Sequence, residues 1–88
     1  MQTNRPPSGT IRSIQLGTIT ITAGNSSNTA TITSVDTTKS IIHFLGVSNP
    51  TGSGNGGYVT LTNATTVTAN RSDTTNQTIY GFQVVEYY

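Results

Sequence analysis

Apolar and β-branched side chains recur along this chain at every second position, and no stretch repeats them at the spacing of a helix turn. A period of two marks strands with one face turned inward. Five runs carry it: TIRSIQLGTITITA at 10–23, TATITSV at 29–35, SIIHFLGVS at 40–48, VTLTNATTVTAN at 59–70 and QTIYGFQVVEYY at 77–88. Between them lie polar, turn-forming segments: GNSSN at 24–28, DTTK at 36–39, NPTGSGNGG at 49–57 and RSDTTN at 71–76. The 59–70 run reads either as one long strand or as two bent at Asn63-Ala64, giving five or six strands in all.

Two details refine the pattern. In the first run the apolar positions change parity between Leu16 and Ile19, with Gly17 between them, and a bulge or bend at Gly17 would swap the faces. The third run is apolar on both sides, Ile42 and Phe44 against Ile41, Leu45 and Val47, as expected of a central strand or one covered twice. The last run is two-sided as well, Tyr80, Phe82 and Val84 against Ile79, Val85 and Tyr87. Together these features predict an all-β fold, a small antiparallel β-sandwich or barrel of five to six strands, jelly-roll-like or Ig-like. Residues 1–9 read as an extended N-terminal arm and 10–88 as a single β domain.

Composition adds one constraint. Ile, Leu, Val and Phe together supply only 19 of the 88 residues, while threonine alone supplies 19. A chain this short buries about 60 % of its unfolded surface, so the core is thin. Low net charge, formally +1, still favours a folded chain over a disordered one. Apolar strand faces beyond what one copy can cover are expected to pack against further copies or a larger partner.

Charge and chemistry exclude more than they suggest. Four basic residues, Arg5, Arg12, Lys39 and Arg71, are spread along the chain, too few for a phosphate-binding face, so no nucleic-acid partner is expected. With no apolar run at the amino end, neither a secretory leader nor a membrane span is expected, and the sequence has no cysteine. A single histidine, His43, and three scattered acids, Asp36, Asp73 and Glu86, give no catalytic constellation, no metal site and no cofactor site. GSGNGG matches a dinucleotide fingerprint at Gly52, Gly54 and Gly57, but a strand follows it where the fingerprint needs a helix, so it reads as a loop. The sequons at Asn25, Asn63, Asn70 and Asn76 follow from a composition rich in Asn, Ser and Thr.

The residues suited to partner contact lie at the ends and in the glycine-rich loop. Arg5, Pro6 and Pro7 fit an arm that docks on a neighbouring subunit, because both prolines lack an N–H for a sheet ladder. Asn55 and Tyr58 flank the end of the 49–57 loop, and Tyr87 and Tyr88 set two amphipathic rings at the C-terminus.

Taken in order, IRSIQLGTITI, ATITSVDTTKSIIHFLG, VTLTNATTVTANR and GFQVVEYY resemble small Thr-rich virion structural proteins of tailed bacteriophages, of the capsid decoration or cement kind. Those relatives tend to carry a basic residue where this chain has Leu16. The resemblance implies a non-enzymatic β domain, a homotrimer bound to the major capsid protein on the outer capsid surface of the virion, made in the host bacterial cytoplasm. A tail, baseplate or fibre protein, or a receptor-binding module of the same particle, is the alternative. Carbohydrate is a partner only in that alternative, and with no Trp in the chain Tyr58 and Tyr80 are its aromatic candidates.

Overall fold

In the computed structural model, residues 10–48 and 56–88 are described. They form six strands: β1 (Ile11–Ile21), β2 (Ser27–Thr31), β3 (Ser40–Ser48), β4 (Tyr58–Asn63), β5 (Thr66–Asn70) and β6 (Thr78–Tyr87). A single 3-10 turn, Thr37–Lys39, precedes β3. The strands make two three-stranded antiparallel sheets, in the orders β1-β6-β3 and β2-β5-β4, stacked as a small β-sandwich. VTLTNATTVTAN is two strands, turned at Ala64-Thr65, where the Asn63 side chain accepts from Thr65 N at 3.0 Å.

The core lies between the sheets. Ile19 and Ile21 of β1 and Tyr80, Phe82 and Val84 of β6 face Val67 and Ala69 of β5, with Ala30, Val59 and Leu61 packed around them. In both β4 and β5 the alternation resolves as Val59, Leu61, Val67 and Ala69 inward and threonines outward, the division that period two demands. Val35 completes the core from the connection between β2 and β3. That connection runs beside the β4–β5 turn, with Ile32 N on Thr65 O at 2.8 Å and Val35 N on Ala64 O at 2.9 Å. Gln15 of β1 holds its other side, donating to Thr33 O at 2.9 Å and accepting from Thr33 N at 2.8 Å.

Several sequence expectations need correction. The strand expected at 29–35 is Ser27–Thr31, because residues 32–35 leave the sheet to cross over the core. The ladder of β1 with β6 runs without interruption through Gly17, and the register shift in β1 falls between Ile11 and Ser13 instead. The change of parity therefore means that Ile14 and Leu16 point away from the core, half or more exposed at 51 % and 68 %, while Ile19 and Ile21 point into it. Gly17 sits on the inner face for a steric reason: it pairs with Phe82, and a Cβ there would lie 2.6 Å from Phe82 Cζ. The ring occupies the volume the glycine leaves.

Strand β3 is an edge strand and β6 is the central one. Two-sided apolarity in β3 had suggested a central strand or one covered twice. Here the second apolar side of β3 is uncovered: Ile41 and Leu45 remain 50 % and 54 % exposed. A bulge between Phe44 and Gly46 sets Leu45 beside Gly81, on the outer side of the sheet.

Replacing Gly17 with Ala should destabilise the domain by about 1–3 kcal/mol through overpacking against Phe82. Combined with Phe82→Leu, the added methyl should cost less than it does alone. Denaturant unfolding of the single and double variants measures that coupling, and strict additivity would exclude the packing explanation.

Candidate functional site

The two sheets present chemically opposite outer faces. On the β2-β5-β4 sheet, Thr29, Thr68 and Thr60 are direct register partners, and Thr31 pairs with Thr66. Thr62, at the β4 bulge, shares a short hydroxyl hydrogen bond with Thr68. That face is polar and uncharged.

On the β1-β6-β3 sheet, the outer rows are Ile14, Val85 and Ile41, then Leu16, Gln83 and His43, with Ile79, Gly81 and Tyr87 along β6 and Ile11 opposite Tyr87. Val85 is 5 % exposed although it lies outside the inter-sheet core, because its register partners Ile14 and Ile41 shield it from the sides. Ile11, Ile14, Leu16, Ile41 and Leu45 are each about half exposed or more. His43 is the one histidine in the rows, and Asp36, Asp73 and Glu86 do not belong to them. Isolated exposed apolar residues are ordinary on a monomer, but a contiguous cluster of five large aliphatic side chains is the pattern of an interaction surface.

The titratable groups hold loops in place. Glu86 is buried at the end of the inner face, accepting from Ser13 Oγ at 3.2 Å and Asp36 N at 2.9 Å. Asp36 caps the 3-10 turn, accepting from Thr38 N at 3.0 Å and Thr38 Oγ1 at 2.6 Å, and these bonds hold its pKa below the ordinary carboxylate value. Asp73 does the same in the 71–77 connection, where the bonds from Thr75 lower its pKa. His43 and Glu86 lie on opposite faces of one sheet, so the backbone separates the sole imidazole from the sole glutamate. Among the described residues no three His, Cys, Asp or Glu side chains gather where they could hold a metal ion.

Arg71 is the residue whose role sequence reasoning missed. It is only 6 % exposed, and all its acceptors are neutral oxygens. Nε donates to Asn25 O at 3.0 Å, Nη2 to Thr22 O at 3.0 Å, and Nη1 to Thr78 Oγ1 at 2.8 Å and to Asn76 O. The guanidinium ties the β1–β2 turn to the 71–77 connection at one end of the sandwich. Only its position directly after β5 in a polar segment hinted at this, since a lone Arg in RSDTTN otherwise reads as solvated.

The expected contact residues do not form one site. Tyr58 opens β4 opposite Asn70, 57 % exposed, at the Arg71 end. Tyr87 and Tyr88 lie at the far end of β6, about 30 Å away along a strand that rises ~3.4 Å per residue. Tyr87 is half-buried on the outer face, while Tyr88 donates its N–H to Thr10 O at 2.9 Å and lies beneath the Arg12 guanidinium, 5.8 Å from the ring centroid. Tyr80, the other aromatic candidate, is fully buried and donates its hydroxyl to Gly56 O at 2.7 Å, and burial pushes its pKa up. Arg5, Pro6, Pro7 and Asn55 lie outside the described residues, as do Gly52 and Gly54. Gly57 leads into β4 with φ 142°, a conformation that suits glycine, and a Cβ there would lie 2.5 Å from Asn70 O and 2.6 Å from the Tyr80 hydroxyl.

Open depressions lie at both ends of the described residues. One, of about 460 Å³, is lined by Ser26, Gly57, Tyr58, Asn70, Arg71 and Ser72. The other, of about 360 Å³, lies between β1 and the β2–β3 connection beside Arg12 and Glu86. No family model matches the chain, and no curated protein and no solved structure matches it.

The capping carboxylates predict an acid dependence. A carboxyl whose pKa is lowered on folding contributes stability above its unfolded value, and that contribution is lost as pH falls through the folded value. With both Asp36 and Asp73 held below the ordinary 3.8, stability should fall as pH drops below about 4. The double variant D36N/D73N should show a flatter fall between neutral pH and pH ~3, read by denaturant midpoints. An unchanged slope would remove the two caps from the acid response.

Proposed function

We propose that this chain is a non-enzymatic structural protein of a bacteriophage virion, a capsid decoration protein that assembles as a homotrimer on the outer surface of the head and clamps copies of the major capsid protein. The outer face of β1-β6-β3 carries this reading. Its aliphatic rows, Ile14-Val85-Ile41 with Ile11, Leu16 and Leu45, gain by leaving water, at about 25 cal/mol per Å² of apolar area. The absence of acids from those rows, with His43 as their single histidine, leaves little charge to desolvate on contact.

The occupant of that face is another copy of the chain. A patch three strands wide, about 4.8 Å apart, and about seven residues long gives a flat footprint of roughly 300 Å². A stable pair buries about 800 Å² per partner, so a single contact through this patch is small. A closed ring of three gives each subunit two contacts, and seating on a larger lattice adds a third. The threonine face of the other sheet then remains toward water, where its hydroxyls are satisfied.

The mechanism is mass action. A module that binds assembled shell better than free subunits stabilises the shell by its binding free energy, repeated at each copy. It needs no reactive group. The sequence resemblance to phage virion proteins points the same way as the exposed apolar face.

Purified protein should sediment as a trimer. Leu16→Glu combined with Ile41→Glu, both at exposed positions, should give a monomer with unchanged strand content and no affinity for capsids. In the particle the protein should approach the abundance of the major capsid protein, and its removal should lower resistance to heat and osmotic shock. A wild-type monomer whose removal leaves the particle equally robust would refute the assignment.

A further inference from the structure

Strand β3 leaves the sandwich with an unpaired edge. It lies at the margin of the β1-β6-β3 sheet, and among the described residues its backbone on the side away from β6 bonds to no other segment. The margin formed by β1 is different: Asn28 of β2 donates to Thr20 O at 2.9 Å, and the Gln15 side chain joins the backbone at Thr33. Native edges are commonly protected by proline, lysine, an inward charge or brevity. Ser40–Ser48 has none of these across nine residues, and its one protective feature is the bulge after Phe44.

The side chains on both faces of that edge are only half covered. Ile41 and Leu45 point outward, at 50 % and 54 % exposure. Phe44 points inward, its ring centroid 6.2 Å from that of Tyr80, and it is still 48 % exposed because β3 is the last strand of its sheet. Such an edge accepts one kind of occupant, an extended backbone that offers alternating N–H and C=O groups with apolar side chains on both faces.

A second copy of β3 has that pattern in one antiparallel register. Residues directly opposite in an antiparallel pair share a face, so a two-fold axis sets one residue against its own counterpart. With the axis at His43, Ile41 meets Leu45 on the outer face, Ile42 meets Phe44 on the inner face, and Ser40 meets Gly46. An axis at Ile42 would set Ile41 against His43 and Ser40 against Phe44, and an axis at Phe44 would set His43 against Leu45 and Ile42 against Gly46. Only the His43 register matches apolar to apolar on both faces, with an aromatic–β-branched pair inside. No acid, lysine or arginine falls within Ser40–Gly46.

We propose that two copies pair antiparallel through their β3 edges about a two-fold axis at His43, joining their sheets in the order β1-β6-β3-β3-β6-β1. The pairing goes beyond the trimer proposed above: the trimer uses side chains of the outer face, whereas the edge contact uses the β3 backbone and links a copy in one trimer to a copy in the next. It merges two aliphatic patches into one continuous surface of roughly 600 Å² and covers each Phe44 with Ile42 of the other copy. One short strand pair is weak by itself, so the contact forms where copies are crowded, as on a shell, and dilute protein stays trimeric.

Disulfide trapping tests the register, since the chain has no cysteine of its own. Ile42→Cys and Phe44→Cys, purified separately, are mixed at high concentration in a glutathione redox buffer and read on non-reducing gels. Opposed Cβ atoms ~4.5–5.5 Å apart reach disulfide distance with a small adjustment, so the mixture should give a covalent dimer at least about tenfold faster than either variant alone. Both positions face inward, where packing through the outer face does not bring them together, so the trimer alone yields no such dimer. His43→Cys should dimerise by itself, and exchange of the wild-type β3 amides should slow at the same concentrations. Amide spectra report whether each variant is folded. Ile41→Cys mixed with Leu45→Cys, both at exposed positions, repeats the test where an inward variant fails to fold. No dimer in the mixture, or equal rates in mixed and single samples, overturns the edge pairing. Sedimentation of dilute wild-type protein reports the trimer separately, so loss of one reading leaves the other standing.

Discussion

Strand β6 is packed with apolar side chains on both faces, and among the described residues the second sheet covers only one of them. Tyr80, Phe82 and Val84 face the second sheet and build the core. Ile79, Val85 and Tyr87 face outward, shielded only from the sides by Ile14 and Ile41 and their neighbours. Covering the second face with a third layer would take more apolar residues than this chain carries beyond its thin core. The asymmetry between a covered and an uncovered face determines what the molecule can do, since free energy left unspent in folding is available for association.

Charge is used sparingly and for local purposes. Glu86 fastens the β2–β3 connection over the inner face, and Arg71 fastens the turns at the opposite end. These two buried groups do the work that disulfides would do in a cysteine-containing domain of this size. Threonine fills the remaining outward positions, packing a methyl into the pleat while its hydroxyl meets water or a neighbour, as Thr62 and Thr68 meet each other. The outcome is a domain whose few buried charges tie its connections together at the two ends.

Period two in the sequence marked five runs that hold the six strands within a few residues, with inward and outward positions in β4 and β5 differing sharply in polarity. Sheet order was not legible: β3 carries as much two-sided apolarity as β6, and only tertiary structure separates a covered face from an exposed one. Gly17 misled for a related reason. Its parity change resembles a bulge, yet it arises from Ile14 and Leu16 facing outward while Phe82 fills the space over the glycine. The role of Arg71 was hidden, because its acceptors come from residues 22, 25, 76 and 78, which no local pattern connects.

Solvent access to the outward methyl groups tests the uncovered face most directly. With a soluble paramagnetic agent, the methyls of Ile14, Leu16, Ile41 and Leu45 should relax slowly at the concentrations where the protein assembles, approaching the core methyls of Ile21 and Val67. They should relax fast on dilution. Equal and rapid relaxation at every concentration, with or without capsids present, would mean that the aliphatic face stays in water and that association does not depend on it.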